Sequence, residues 1–411
     1  MFYDNLALSP EALTQTVGAV GSATEGQLSA SIFDDTFLGE SLQKENAPAS
    51  APSSPSYGGN GGNGSYIVTD GTNSYTFSSN SANQSQNTSI IEHGIDYQNI
   101  DVGILMQEPS LILAIAVILE MFLPLGRRFK LDGLMGVFSA LGRKVNRPSI
   151  SAGQRAFAGF FLPTLIVSVL LFLVLTLDLV SGFDSILALV VLVLVLELKF
   201  PQDQSILVYR SLHEGFKDKA KEVLRPMVLR ETHMLSSMGI AKATSESAIL
   251  RIFSGWFAVM IWYFMMGIEG AVFMQTVNVL SRAFNYKLKG NYQFGKTIFR
   301  VQQIMLFIPA LVLMLCLICS KNPWRHFVYA QNGFKTYPAA VSGMVLGAVG
   351  GALNITLGGP RYYQGNIMRL PTVGGTQNPD EQSILYAMRK IRMCGIILLV
   401  LSIIIDLNVT I

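Results

Sequence analysis

Apolar residues in this chain cluster in long runs, almost all of them C-terminal to residue 103. The runs are Ile104 to Leu125, Ala156 to Leu177, Ser185 to Leu198, Ile252 to Gly267, Ala271 to Ala283, Ile304 to Cys319, Tyr337 to Leu357 and Met393 to Ile411. A helix needs roughly 20 apolar residues to cross a bilayer core, so the shorter runs are expected to be hairpin arms rather than full spans. The pattern predicts an all-α fold: a polytopic integral membrane helical bundle over 103–411, with cytoplasmic loops at 200–251 and 357–392. Helix-like spacing within 200–251 predicts amphipathic helices lying on the membrane surface.

Composition agrees. Half of the 411 residues are hydrophobic, 14% are charged and the mean hydropathy is +0.41, a profile that excludes an ordinary soluble domain. The lipid bilayer is the expected partner, and nucleic acid is not. Cys316, Cys319 and Cys394 lie in or beside apolar runs, which suggests packing rather than a disulfide framework or metal site.

The distribution of charge adds orientation. Residues 1–102 hold one lysine, Lys44, against eleven acids, and 47–89 is dominated by Ser, Asn, Gly and Pro. This reads as an outward-facing tail, mostly disordered, with one small hairpin over Ser65 to Ser79. No basic segment followed by an apolar core opens the chain, so no cleavable signal peptide is expected. Arg127, Arg128, Lys130, Arg143, Lys144, Arg147 and Arg155 crowd the segment after the first run, which places that side in the cytoplasm of an inner membrane and the N-terminus outside. A single crossing over 252–302 would leave Arg282, Lys287, Lys289, Lys296 and Arg300 on the wrong side. A hairpin turning at Gly267 to Gly270 keeps them inside. The final helix is expected to start with Asn378 as cap and Pro379 at its first position.

Candidate chemistry concentrates in LGGPRYYQGNIMRLPTVGG, Leu357 to Gly375. Gly358 and Gly359 permit positive φ and close backbone approach, and Pro360 stiffens the exit. Arg361 and Arg369 suit phosphate or carboxylate. A binding loop and a turn-rich connector whose arginines sit in water are both compatible with this composition. Glu120 and Glu197, near the ends of apolar runs, either serve a function or pair with a neighbouring base. His213 and His233 lack metal-ligand spacing.

Three blocks carry a resemblance to the CobD/CbiB membrane proteins of cobalamin biosynthesis and their relative AmpE, named for β-lactamase induction. In the loop, Gly358, Gly359, Pro360, Tyr363, Gly365, Pro371 and Gly374 match. In LRETHMLSSMGIAKATSES, Leu229 to Ser247, the matches are Arg230, Thr232, Leu235, Ala243, Glu246 and Ser247. Over Gly255 to Pro309 they are Gly255, Trp262, Asn278, Leu280, Tyr286, Phe294, Gly295, Arg300 and Pro309. The sequence departs from the family at its acids: Leu250, Arg251 and Ser254 follow Glu246 where the family has Glu-Asn and Asp. Ser281, Gln302 and Gln303 replace further aspartates, and Glu231 stands for another. LEMFLPLGRRFKLDGLMGVF, Leu119 to Phe138, looks more like the AmpE branch.

The resemblance implies either an ATP- and Mg²⁺-dependent ligase joining an aminopropanol, or its phosphate, to a corrinoid carboxylate, or a non-catalytic regulatory relative. Mg²⁺ bound to phosphates is held by carboxylates, so the missing acids favour the regulatory reading. The ligase reading would draw its metal ligands from Glu231, Glu246 and Asp380. A third reading is a structural subunit of a larger membrane complex, contacting a membrane protein partner or a second copy through its tail. The candidate catalytic residue is Glu246. The ligand-binding candidates are Gly358, Gly359, Pro360, Arg361, Tyr363, Gly365, Arg369, Arg230, Asn278 and Tyr286. A corrinoid, a nucleotide or a lipid headgroup would be the ligand, and no metal ligand is assigned.

Overall fold

A computed structural model describes residues 66–70, 73–77 and 108–410, apart from Pro124, Pro148, Phe183, Lys289, 320–322 and Gln364. The chain divides into two units, Met1–Glu92 and His93–Ile411. In the first, β1 (Tyr66–Asp70) pairs antiparallel with β2 (Asn73–Phe77), which is the hairpin the alternation predicts. The rest of the expected tail lies outside the described residues.

The second unit is helical. Its helices are α1 (Pro109–Phe122), α2 (Met135–Val145), α3 (Ala152–Ser181), α4 (Asp184–Val195), α5 (Lys199–His213), α6 (Lys217–Leu224) and α7 (Ser237–Ile252). A π-turn at Phe253–Phe257 carries α7 into α8 (Ala258–Ala283). Then come α9 (Tyr292–Cys316), α10 (Pro323–Thr336), α11 (Ala340–Leu353) and α12 (Glu381–Thr410). Strands β3 (Thr356–Gly358), β4 (Arg361–Tyr363), β5 (Asn366–Met368) and β6 (Thr372–Gly374) fold the 357–375 loop into two nested ribbons, β3 with β6 and β4 with β5.

Among the described residues four helical stretches are long and apolar enough to cross a membrane: α3, the Ser237–Ala283 stretch of α7 and α8, which is broken at Gly267, α9 and α12. The protein is a membrane protein with an all-α bundle. Helix α3 shows how its sequence builds such an element. Ser151 and Gln154 form a reciprocal capping box at its start. Gly182, at φ +61°, closes it in the left-handed conformation. At 1.5 Å per residue its 30 residues reach about 45 Å, and exposed Phe157, Phe160, Phe161 and Phe172 give it the apolar surface that lipid requires.

Three of the eight apolar runs do not become spans. They form α1, α4 and α11, of 14, 12 and 14 residues, which reach only about 18–21 Å against a core of about 30 Å. In α11 the apolar content reflects burial by neighbouring helices, ten of its 14 residues being inside, whereas α4 buries only Leu192, Val193 and Val195. Helix α10, which the run pattern did not separate, folds back on α11. Gly333, Gly343 and Gly347 let the two backbones approach. A Cβ at Gly333 would stand 2.1 Å from the Gly343 carbonyl oxygen.

The 252–302 segment reverses where the charge rule places its turn. Helix α8 breaks at Met266 and Gly267, the latter at φ +65°, and Gly270 lies so near Trp262 that a Cβ there would meet its carbonyl oxygen at 2.3 Å. The surface-helix expectation for 200–251 fails at its C-terminal end. Helix α7 is buried, with Ile240, Ala241, Ala243, Thr244, Ser245, Glu246, Ala248 and Ile249 all inside. It opens the first arm of the α7–α8 hairpin and packs inside the protein, so its sparse polar residues face protein. The last helix is capped by Asp380 rather than Asn378. Asp380 Oδ1 accepts from the Ser383 backbone N–H at 2.8 Å, and the Ser383 hydroxyl in turn accepts from the Asp380 N–H at 3.1 Å.

Helices α3 and α9 meet at Gly159, where a Cβ would lie 2.0 Å from the Phe294 carbonyl oxygen. Gly159→Leu is therefore expected to cost at least about 1–3 kcal/mol, read as a lowered melting temperature in detergent. Gly153→Ala, with nothing within 4 Å, should show no loss.

Candidate functional site

The 357–375 loop is held against α7 by one carboxylate. Glu246 is 1% exposed. Its Oε1 accepts the Gly358 backbone N–H at 2.5 Å, and its Oε2 accepts from Arg230 at 2.6 Å and pairs with Arg361 at 3.0 Å. Gly358, at φ +81°, is required because a Cβ would meet the Pro371 carbonyl oxygen at 2.3 Å. Arg361 also donates to the Tyr337 hydroxyl at 2.8 Å. Burial alone would lower its basicity, but Glu246, Tyr337 and Tyr363 raise it. Burial pushes the Tyr337 hydroxyl up to about 12. At the loop's tip, Gly365 N–H donates to Glu231 at 2.6 Å and Glu231 N–H to the Tyr362 carbonyl at 3.0 Å.

A second network lies where α4 ends and α5 begins. Glu197 sits in the unwound step between them, and its N–H donates to the Gly255 carbonyl at 2.9 Å. Gly255 belongs to the π-turn, and a side chain there would press on Glu197, whose Cβ would be 3.0 Å away. The Glu197 carboxylate accepts from Arg251 at 3.1 Å, Arg282 at 2.7 and 3.1 Å, and Gln275 at 3.3 Å. Asp132 pairs with Arg282 at 3.0 Å and with Arg127. Burial would raise its pKa, yet Arg282 and Arg127 hold the carboxyl below its ordinary value. Glu120, alongside, pairs with Lys130 and accepts the Leu198 and Lys199 N–H groups at 3.2 and 3.0 Å, so it caps α5.

Between these networks opens a cavity of about 190 Å³. Arg251, Arg282 and Lys287 supply its charge, and Ser254, Asn278, Ser281, Asn285, Tyr286 and Gln302 most of its remaining polar lining. Gly295 makes the geometry possible: a Cβ would clash with the Phe284 carbonyl oxygen at 1.8 Å, so the 284–291 turn can fold over the start of α9. Tyr286 packs on Phe299 with centroids 4.3 Å apart, and burial lifts its hydroxyl to about 12. Burial lowers the pKa of half-buried Lys287, with a lesser contribution from Arg361 opposing the pull of Tyr363 and Glu246.

The structure brings together Glu246, Arg230, Arg361, Tyr363 and Gly358, with Gly359 beside Lys242. It places Asn278 and Tyr286 in the adjoining cavity. Pro360, Gly365 and Arg369 are exposed, and Arg369 forms no ion pair among the described residues. The expected metal trio does not assemble. Glu231, Glu246 and Asp380 are each engaged elsewhere, and no group of three or more His, Cys, Asp or Glu among the described residues could hold a metal. Sequence reasoning missed Lys242, Lys287, Tyr337 and Asp132. Leu250, Arg251, Ser254, Ser281 and Gln302, read from the sequence as departures from a pattern, with Gln302 also an expected interhelical hydrogen-bonder, all line this one cavity. The lining therefore offers guanidinium, ammonium, amide and hydroxyl groups where Mg²⁺ would need free carboxylates, and it does not fit Mg²⁺.

Residues 113–391 match the family described as CobD/Cbib protein. Similar curated relatives are named cobalamin biosynthesis protein CobD. One, from Chromobacterium violaceum, is 28% identical over 184 residues, covering 45% of this chain and 59% of the relative. Another, from Stutzerimonas stutzeri, is 24% identical over 212 residues, covering 52% and 70%. A third, from Streptococcus sanguinis, is 27% identical over 210 residues, covering 47% and 64%. No solved structure matches.

Glu246→Gln is expected to leave two buried guanidiniums short of a charge and to destabilise the fold by about 3–5 kcal/mol. Faster trypsin cleavage within 358–375, together with a lowered melting temperature, would report it. Arg369→Gln should change stability by no more than about 0.5 kcal/mol.

Proposed function

The chain belongs to the CobD/CbiB family, and from that premise we propose that it is a regulatory or sensory membrane protein in the manner of AmpE rather than a working corrinoid ligase. One observation carries this reading: the cavity is lined by Leu250, Arg251, Ser254, Ser281 and Gln302, and the carboxylates that pair with its arginines, Glu197 and Asp132, are already bound to guanidiniums. A ligase of this class must steady phosphate charge through Mg²⁺, and Mg²⁺ is held by carboxylates. Guanidinium at that place repels the metal.

The same reading puts the protein in a bacterial inner membrane with its N-terminus outward. The basic residues of 127–155 and Arg282 to Arg300 then share the cytoplasmic side with the glycine-rich loop. That side would meet a soluble ligand or a regulatory partner.

The second reading, a ligase step in cobalamin biosynthesis, is favoured by the names of the relatives. Complementation separates the two. In a bacterial strain lacking its corrinoid aminopropanol ligase, this chain is expected to reach the membrane without restoring cobinamide-dependent growth. Growth that returns, and disappears again with Glu246→Ala, would overturn the regulatory reading.

A further inference from the structure

We propose that the α2–α3 corner, together with the groove between α3, α8 and α9, binds an anionic membrane phospholipid, with the headgroup on Arg155 and neighbouring bases and one acyl chain in the groove. This goes beyond the regulatory reading and does not depend on it.

Helix α2 packs on the protein through Phe138 and Gly142, and a Cβ at Gly142 would stand 2.7 Å from the Phe284 ring. Val137, Leu141 and Val145 form a second stripe at i, i+4 and i+8, and they are 54%, 38% and 38% exposed. At 11 residues the helix reaches about 16 Å, too short for a hydrocarbon core of about 30 Å. A short helix with an outward apolar stripe, placed just before the crossing helix α3, fits the plane of the bilayer surface.

The charge of this corner is uncompensated. Between Asp132 and Asp178 the chain has no acid, while Arg143, Lys144, Arg147 and Arg155 supply four bases. None of the four forms an ion pair among the described residues. Arg155 Nε is buried with no hydrogen-bond partner, so it offers a donor to an acceptor from outside the chain. Gly159 of α3 touches the Phe294 backbone of α9. Arg155 and Lys296 therefore lie at the same end of this helix pair, and Lys296 adds a further base. Basic clusters at the membrane surface select anionic headgroups.

Beside this end lies a groove of about 220 Å³. Pro163 and Val167 of α3, Phe273 and Val277 of α8, and Ile298 and Val301 of α9 form much of its wall, and no charged side chain lines it. It is a separate space from the polar cavity, which α9 meets through Phe299, Gln302 and Leu306 instead. An uncharged groove between three helices that can cross a membrane suits a length of hydrocarbon and gives a soluble polar ligand nothing to pair with. Arg155 stands one turn from Gly159, which also lines the groove, so the headgroup and chain positions adjoin.

The test uses the full chain in a neutral detergent. Phosphatidylglycerol or phosphatidylcholine is titrated in, and bound lipid is counted by native mass spectrometry. The protein is expected to retain phosphatidylglycerol in preference to phosphatidylcholine. Arg155→Gln should weaken phosphatidylglycerol binding roughly fivefold and leave phosphatidylcholine unchanged. Val167→Trp, whose indole takes up the groove, should weaken both. Lys335→Met, which removes an exposed base on α10, should match the parent protein. Equal retention of the two lipids, or a preference that survives Arg155→Gln intact, overturns the proposal. Full binding by folded Val167→Trp overturns the groove's part in it, and if that variant does not fold, Arg155→Gln decides alone. A dimer that forms without retaining lipid also overturns the proposal and gives the α2 stripe to a second copy.

Discussion

Everything near the site depends on neutralising Glu197. Its carboxylate is 3% exposed, and an unpaired charge at that depth would cost several kcal/mol. The chain meets the requirement by bringing two stretches, 251–255 and the end of α8, to the segment that carries it. The break between α4 and α5 presents the carboxylate, the π-turn at Gly255 makes room for it, Arg251 reaches it from the end of α7, and Arg282 from the end of α8. Arg282 then carries the contact on to Asp132. A single buried acid thereby sets how the two arms of the α7–α8 hairpin meet the shorter helices α4 and α5.

Glu246 works in the same way one network further on. It joins α7, the segment before it and the glycine-rich loop through Arg230, Arg361 and the Gly358 N–H. Because the carboxylate's two oxygens are divided between a backbone donor and two guanidiniums, the loop can seat only in one register. The loop is thus a packed element with Arg361 turned inward rather than sitting in water, while Arg369 is exposed.

How much of this was legible follows from the range of each interaction. The reversal near Gly267 could be read because lipid sorts charge by side, and Arg282 to Arg300 had to end where other bases were. The all-α class could be read because long apolar runs have few other uses. The fates of α1, α4 and α11 could not, since lipid and neighbouring helices select the same residues and differ only in how many are needed. The buried state of Glu246 was hidden for another reason. Its partners lie 16 and 115 residues away (246 minus 230, and 361 minus 246), and no local pattern encodes a pairing over such distances.

Five of the seven departures read from the family pattern, at 250, 251, 254, 281 and 302, line one cavity, whereas Gln303 bonds Ser342 and Glu231 holds the Gly365 N–H. Convergence changes what they mean. Isolated losses of acids could each be made good by a neighbour, but here Arg251 occupies the very region where a cation would have to be held, and it is itself anchored by Glu197. Restoring a carboxylate at 281 or 302 would therefore place it beside Arg251 and Arg282, where it would form another ion pair before it could hold a metal. The cavity's polarity is fixed by the network behind it, in which Glu197 and Asp132 are already paired with guanidiniums.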